Sequence, residues 1–178
     1  MASIDRREEL IAQYAKIHAE KDYGHSSEIM IGIVQKHIYD LPEVKTILDF
    51  GCGRSRLVDW LAKIHDATPY RYDPAIPEFA EMPVDKVDLV ICTDVMEHIS
   101  DADIKPVIRQ IKGLSDNAFF NISCREADEI LPNGENAHCS VHPHAWWMSR
   151  LRGQFPNVAR TRAFSSDDLS AFTWGKSS

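Results

Sequence analysis

The chain has 178 residues, 44% of them apolar and 26% charged, with a formal net charge of −7. That length suits one domain with a sizeable core and is short for two. The negative charge argues against affinity built by coating nucleic-acid phosphates, so no extended nucleic-acid surface is expected. No apolar run approaches the ~20 residues that span a bilayer, and the start "MASIDRREEL" lacks the apolar stretch of a signal peptide. The cysteines at 52, 92, 124 and 139 are scattered without a CxxC pair. They read as reduced thiols of a cytoplasmic protein.

In chain order, residues 5–20 place Leu10, Ile11, Tyr14 and Ile17 on one helical stripe. "DYGHSS" breaks the pattern. A second helix is expected from Glu28 to Asp40, capped by Ser26 or Ser27. From Thr46 short apolar runs alternate with helical patterns. Strands are expected at Thr46–Phe50, Tyr70–Tyr72, Asp88–Cys92 and Ala118–Ser123, and helices at Arg56–His65, Asp101–Lys112 and Pro143–Phe155. Pro143 suits the first position of the last helix. Two further strands fit "NVARTRAFSSDDLSAFTWGK". Such alternation implies a mostly parallel sheet with helices on both faces, its ligands at the carboxyl ends of the strands.

The stretch "TILDFGCGRSRLVDWLA" ends a strand in Asp49 and turns through Gly51 and Gly53 into a helix. Glycines there allow a sharp turn and close approach of a ligand to the backbone. A dinucleotide fingerprint is the obvious rival, but Arg56 fills the third small position and Asp49 would repel a diphosphate. A cationic ligand reverses that sign. S-adenosylmethionine carries a sulfonium and an ammonium, so an acid beside the turn helps hold it. Asp73 ends the next strand 20 residues after Gly53, where a carboxylate can accept both ribose hydroxyls.

Three segments in this order and spacing, "ILDFGCGRS", "YRYDP" and "VDLVICTDVMEHI", resemble those of class I S-adenosylmethionine-dependent methyltransferases. The resemblance covers roughly residues 45–155 and fits the two terminal strands. With "YGHSS" and "LPNGENAHCSVHPHAWW", the layout is most similar to small methyltransferases of phages and bacteria. It implies a Rossmann-like α/β fold with a mostly parallel sheet and an antiparallel C-terminal strand. Only seven residues separate Asp73 from Glu81, so the usual third-strand region is shortened or missing. The resemblance also implies one domain over 1–178, with 1–44 as a helical cap and 45–178 as the core. For the cofactor it implies Asp49, Gly51, Cys52, Gly53 and Arg54 in the turn and Asp73 with Pro74 at the ribose. Glu81 and Met82 would meet adenine, and Thr93 the end of the fourth strand. Tyr23 and Ser27 would serve the methionine end or a lid.

Methyl transfer needs an aligned nucleophile and, for some acceptors, removal of a proton. "TDVMEH" offers Asp94, Glu97 and His98; "NAHCSVHPH" offers His138. Two readings stay open. Asp94, Glu97, His98 and His138 could hold magnesium or another divalent ion, as similar patterns do in RNA and ubiquinone-pathway O-methyltransferases. Alternatively His138, His98 and Asp94 serve catalysis without metal, and Glu97 braces the loop. Cys139, His142 and His144 have a faintly zinc-like spacing. His142 is equally explained as a helix cap. Trp147 is expected in the core, and Trp146 there or over the acceptor mouth. Arg125, Arg150, Arg152, Arg160 and Arg162 make the later part basic. The absence of a recognition domain favours a small-molecule, sugar or nucleotide acceptor, methylated on oxygen or nitrogen. A nicotinamide oxidoreductase and a non-catalytic cofactor-binding module are the rivals.

Overall fold

The computed structural model describes residues 5–20 and 25–174. Six strands form one sheet in the order β2-β1-β3-β4-β6-β5. They are β1 (Thr46–Phe50), β2 (Thr68–Tyr72), β3 (Leu89–Thr93), β4 (Ala118–Ser123), β5 (Ala159–Thr161) and β6 (Asp168–Phe172). The first four are mutually parallel, and β6 runs antiparallel to both β4 and β5. β3 and β4 are buried at every position, which is why "LVICT" and "AFFNIS" read as continuous apolar runs rather than alternating ones. Asp88 fastens the start of the sheet, its carboxylate accepting the Lys45 and Thr46 amides and the Thr46 hydroxyl.

The helices are α1 (Arg6–Glu20), α2 (Ile31–Ile38), α3 (Leu57–His65), α4 (Asp101–Leu114) and α5 (His144–Arg152). Ile104, Val107, Ile108 and Ile111 of α4 and Trp147 and Leu151 of α5 pack on one face of the sheet. Val34 and Ile38 of α2 join Leu57 and Leu61 of α3 on the other. Thus α2 is part of the sheet's second layer. Only α1 stands clear of it, packing through Leu10 and Ile17 on Leu131 and Ala137 of the loop after β4. An Arg6–Glu135 ion pair at 2.5 Å joins the same two segments.

Several local expectations need correcting. Ser26 and Ser27 do not cap a helix from Glu28; Ser26–Met30 is a 3-10 turn feeding α2. Pro143 sits one residue before α5, its ψ of 154° being extended. Between Asp73 and β3 there is one 3-10 turn, Pro77–Phe79, and no strand, so β2 is the sheet edge. No helix among the described residues is long and apolar enough to cross a membrane.

Candidate active site

A cavity of about 730 Å³ runs along the carboxyl ends of the parallel strands, from Asp73 after β2, past Phe50 and Thr93, to Ser123 and Asp168. Its near end is built by the glycine turn. Gly51 and Gly53 take φ of +77° and +53°, a region other residues enter with strain. The amides of Gly51 and Cys52 donate to the Tyr72 carbonyl at 2.7 and 3.1 Å, which holds the turn over the neighbouring strand. The Asp73 carboxylate accepts Gly53 N and Ala75 N, both at 2.9 Å, one on each oxygen. It is thereby fixed facing the cavity, and each oxygen keeps a second lone pair for a diol.

Asp49 lies beneath this turn, 1% exposed. Burial raises its pKa to about 7; Arg71 opposes the rise and Asp73 adds to it. Its Oδ2 has no hydrogen-bond partner. Asp49 is not on the cavity wall itself; a buried acid with an empty acceptor one layer below favours positive charge above it only through the intervening turn. Ser27 and Pro74 line the near end of the cavity. Thr93 does too, its buried hydroxyl lacking a partner.

Five expected cofactor residues are off the cavity wall, Asp49 beneath the turn being the first. Cys52 is buried, its thiol pushed up by desolvation and directed at the Gly53 carbonyl. Arg54 is exposed and donates to the His18 carbonyl at 3.3 Å. Asp73 N donates to Phe79 O, so the chain doubles back over the tip of β2. That leaves Glu81 exposed and Met82 against the core, neither on the cavity wall. Tyr23 lies outside the described residues.

The far end is assembled from four segments. Asp94, immediately after β3, has φ of +57°, a left-handed turn that Asp tolerates better than most residues. Asn121 Nδ2 donates to its Oδ1 at 2.7 Å, and Asn121 Oδ1 accepts the Ser170 hydroxyl at 2.7 Å. Three adjacent strands therefore fix this carboxylate. Glu97 is fully buried; its Oε1 accepts Ser123 N at 2.9 Å, while Oε2 has no partner. Burial, and then Asp94, hold its pKa well above the carboxylate range.

His98 meets Tyr14 from α1. The Tyr14 hydroxyl donates to Ala137 O at 2.6 Å and lies 2.6 Å from His98 Nδ1. With its one proton spent on the carbonyl, the phenol can only accept from His98, which places the ring proton on Nδ1 and leaves Nε2 its lone pair. Desolvation, followed by His138, lowers the His98 pKa to about 4. His138 directs Nδ1 at Arg125 O, 2.6 Å away, and the two imidazoles meet edge-on at 4.8 Å. A donor atom each from Glu97, His98 and His138 lies within 4.8 Å of the others; Asp94 is outside that set.

Tyr14, Asn121 and Asp168 were not read as site residues from the sequence. Tyr14 looked like one more apolar contact on a helix stripe. Asn121 was signalled by an amide inside an otherwise apolar strand. Asp168 follows a polar turn and opens β6, and its position opposite Ser123 only the sheet pairing shows. Trp147 is in the core, and Trp146 stacks between His142 and Arg150 away from the cavity. His142 contacts Asp101 at 2.7 Å rather than capping α5. Cys139 forms no metal-like cluster with His142 and His144 among the described residues. Of the basic residues in the later part, Arg125 alone reaches the cavity.

Residues 24–167 match the family described as "Methyltransferase domain". The chain belongs to the methyltransferase-domain family. It is thus an S-adenosylmethionine-dependent methyltransferase with the class I, Rossmann-like fold. Curated proteins give no sequence match. Among solved structures it is similar to magnesium protoporphyrin IX methyltransferase from Synechocystis PCC 6803 with bound SAM. That match has 18% identity over 97% of this chain and 99% of the other, with a TM-score of 0.63. It is also similar to the Burkholderia thailandensis 1,6-didemethyltoxoflavin-N1-methyltransferase, at 12% identity, coverage of 97% and 90%, and TM-score 0.63. An O-methyltransferase family protein from Burkholderia thailandensis matches at 14% identity over 85% of this chain, TM-score 0.63; the match spans 56% of that protein's length. At these identities the likeness is one of fold.

Proposed function

We propose that this methyltransferase transfers the methyl group to an oxygen or nitrogen of a small-molecule, sugar or nucleotide acceptor. One observation carries the reading: a single cavity of about 730 Å³ joins Asp73 to the cluster of Asp94, His98 and His138. Pockets of ~300–1,000 Å³ hold small ligands. The solved N1-methyltransferase, which holds 1,6-didemethyltoxoflavin together with S-adenosylhomocysteine, supports a small acceptor.

When bound, S-adenosylmethionine supplies a methyl group on a sulfonium leaving group. The chain's own residues do the rest. Asp73 holds the ribose and Asp49 balances positive charge beneath the turn. Asp94, fixed by Asn121, orients the acceptor. His138, with Nδ1 held by Arg125 O, presents Nε2 to take the acceptor's proton. Packing by α1 excludes water from the His98 side of the site.

A second reading rests on Glu97, His98 and His138. Both imidazoles turn Nδ1 to a backbone carbonyl, the orientation that prepares Nε2 for a metal. Two imidazoles and one carboxylate suit a first-row transition ion better than magnesium. Activity unchanged by EDTA and by Glu97→Ala would remove this reading. The primary test is calorimetric titration with S-adenosylhomocysteine, followed by a screen of metabolites and nucleotides with labelled methyl donor. NADH binding without any response to S-adenosylhomocysteine would overturn the proposal. An acceptor-free screen with intact cofactor binding would instead favour a non-catalytic module. We read residues 1–178 as one domain and place it in the cytoplasm, where its free thiols stay reduced.

A further inference from the structure

We propose that Asp103 reads the exocyclic amine of the cofactor's adenine, at the rim of a slot that α4 builds in place of the loop carrying Glu81 and Met82. The inference rests on the reading that Asp73 holds the ribose, and deepens it by naming the residue that selects adenine.

Glu81 and Met82 are off the cavity wall, so the base meets other residues. From its ribose the cofactor sends out two arms, a flat base with apolar faces and a charged amino-acid chain. Beside Asp73 the wall offers one apolar direction. Ala75, whose amide donates to the Asp73 carboxylate, lines it with Phe50, Ile99 and Val107. The Phe50 ring lies 5.1 Å from that of Tyr72, the residue before Asp73, and Ile99 and Val107 pack in the same apolar cluster. The slot is therefore continuous with the ribose site. The arginines of the wall and most of its histidines come from other segments: α1, residues 25–29 and the loop after β4. His98, next to Ile99, has its Nδ1 tied to Tyr14 and Ala137 O.

The polar group at the rim comes from α4. Asp103 and Val107 are four residues apart, so they share one face of the helix, about 6 Å apart along its axis. Val107 is buried, and Asp103, one turn nearer the start of α4, is half-buried on the cavity wall. The Ser100 hydroxyl donates to Asp103 Oδ2 at 2.5 Å, and the Asp103 amide donates to Ser100 O at 2.8 Å, which pins the carboxyl group to the start of the helix. Oδ1 has neither a donor nor an ion pair among the described residues. Asp101, two residues earlier, is engaged elsewhere, with Ser140 and His142 at 2.8 and 2.7 Å. An apolar slot with one fixed acceptor at its rim suits a base whose faces are apolar and whose edge carries N–H donors. A purine without the amino group leaves Oδ1 facing a C–H, and the hydrogen bond is lost.

The test compares S-adenosylhomocysteine with its purine analogue, in which hydrogen replaces the 6-amino group, by calorimetry on the full chain. The wild type is expected to bind S-adenosylhomocysteine at least about tenfold more tightly than the analogue, the size of one hydrogen bond to a charged acceptor. Asp103→Asn keeps an oxygen for the Ser100 hydroxyl and turns its amide NH2 toward the slot. It should lose the preference, with affinity for the analogue within about twofold of wild type. Equal binding of the two ligands by the wild type, a preference that survives Asp103→Asn, or an equal weakening of both ligands in that variant would each overturn the proposal. S-adenosylhomocysteine affinity that Asp73→Ala leaves unchanged would overturn the ribose reading beneath it. A wild type that binds through Asp73 yet shows no preference would overturn the adenine assignment alone.

Discussion

Replacing Asp49 by Asn tests the electrostatics under the glycine turn. Asp49 is 1% exposed, and burial raises its pKa from 3.8 to about 7. A raised acid binds its proton more tightly in the fold than in the unfolded chain. Stability is therefore fully present below pH 3.8 and is lost as pH rises toward 7. A difference of that size is worth about 4 kcal/mol in the ligand-free protein. Asn cannot ionise and is nearly isosteric, so the variant should escape the loss. Urea unfolding followed by tryptophan fluorescence should show Asp49→Asn close to wild type at pH 4. At pH 8 it should be more stable by up to about 4 kcal/mol, a midpoint shift of about 2 M urea. The same carboxylate should favour S-adenosylmethionine over S-adenosylhomocysteine, which lacks the sulfonium charge, increasingly as pH rises through 7, and the variant should lose that increase. A variant destabilised equally at both pH values would refute the reasoning, because it would mean that the ionised carboxylate is already satisfied by the fold.

Other substitutions follow from the same geometry. Asp73→Ala removes the acceptor for Gly53 N and Ala75 N and should weaken S-adenosylhomocysteine about tenfold to a hundredfold by calorimetry. In Gly51→Ala the new Cβ would lie 2.5 Å from Val95 Cγ2, at a φ of +77°. This should lower stability by about 2–4 kcal/mol in thermal unfolding, and Val95→Ala in the same chain should recover only the steric part. His98, lowered to about 4, resists protonation in the fold. Between pH 6.5 and 4 the wild type should lose up to about 3 kcal/mol as pH falls, and His98→Gln should show a flatter stability profile over that window. Tyr14→Phe should leave S-adenosylhomocysteine affinity unchanged and reduce turnover once an acceptor is known, since the hydroxyl fixes the His98 ring rather than the cofactor.

The strand–helix alternation from Thr46 onward was legible because burial on both faces makes the central strands uniformly apolar. The glycine turn and Asp73 were legible for a related reason: sharp turns and strand-tip carboxylates are specified by a few residues close together in sequence. Element ends were less so, as Pro143 shows; its fixed φ suits both the residue before a helix and the first one in it. Glu81 and Met82 went astray because no local pattern reveals a chain that doubles back on the tip of β2.

Sequence alone thus determined the fold class, the glycine turn with the strand-tip Asp73, and the chemical character of the Glu97–His98 segment, all properties of short contiguous stretches. Tertiary structure decided the far end of the cavity, where Tyr14, Asp94, Asn121, His138 and Asp168 come from segments up to 154 residues apart. Their meeting depends on strand order and on α1 packing against the loop after β4, and no spacing in the chain encodes either. Burial made the second difference. The same carboxyl group is an ordinary acid in the unfolded chain, yet at Asp49 or Glu97 it becomes one that holds its proton, because folding removes the water that would have stabilised its charge.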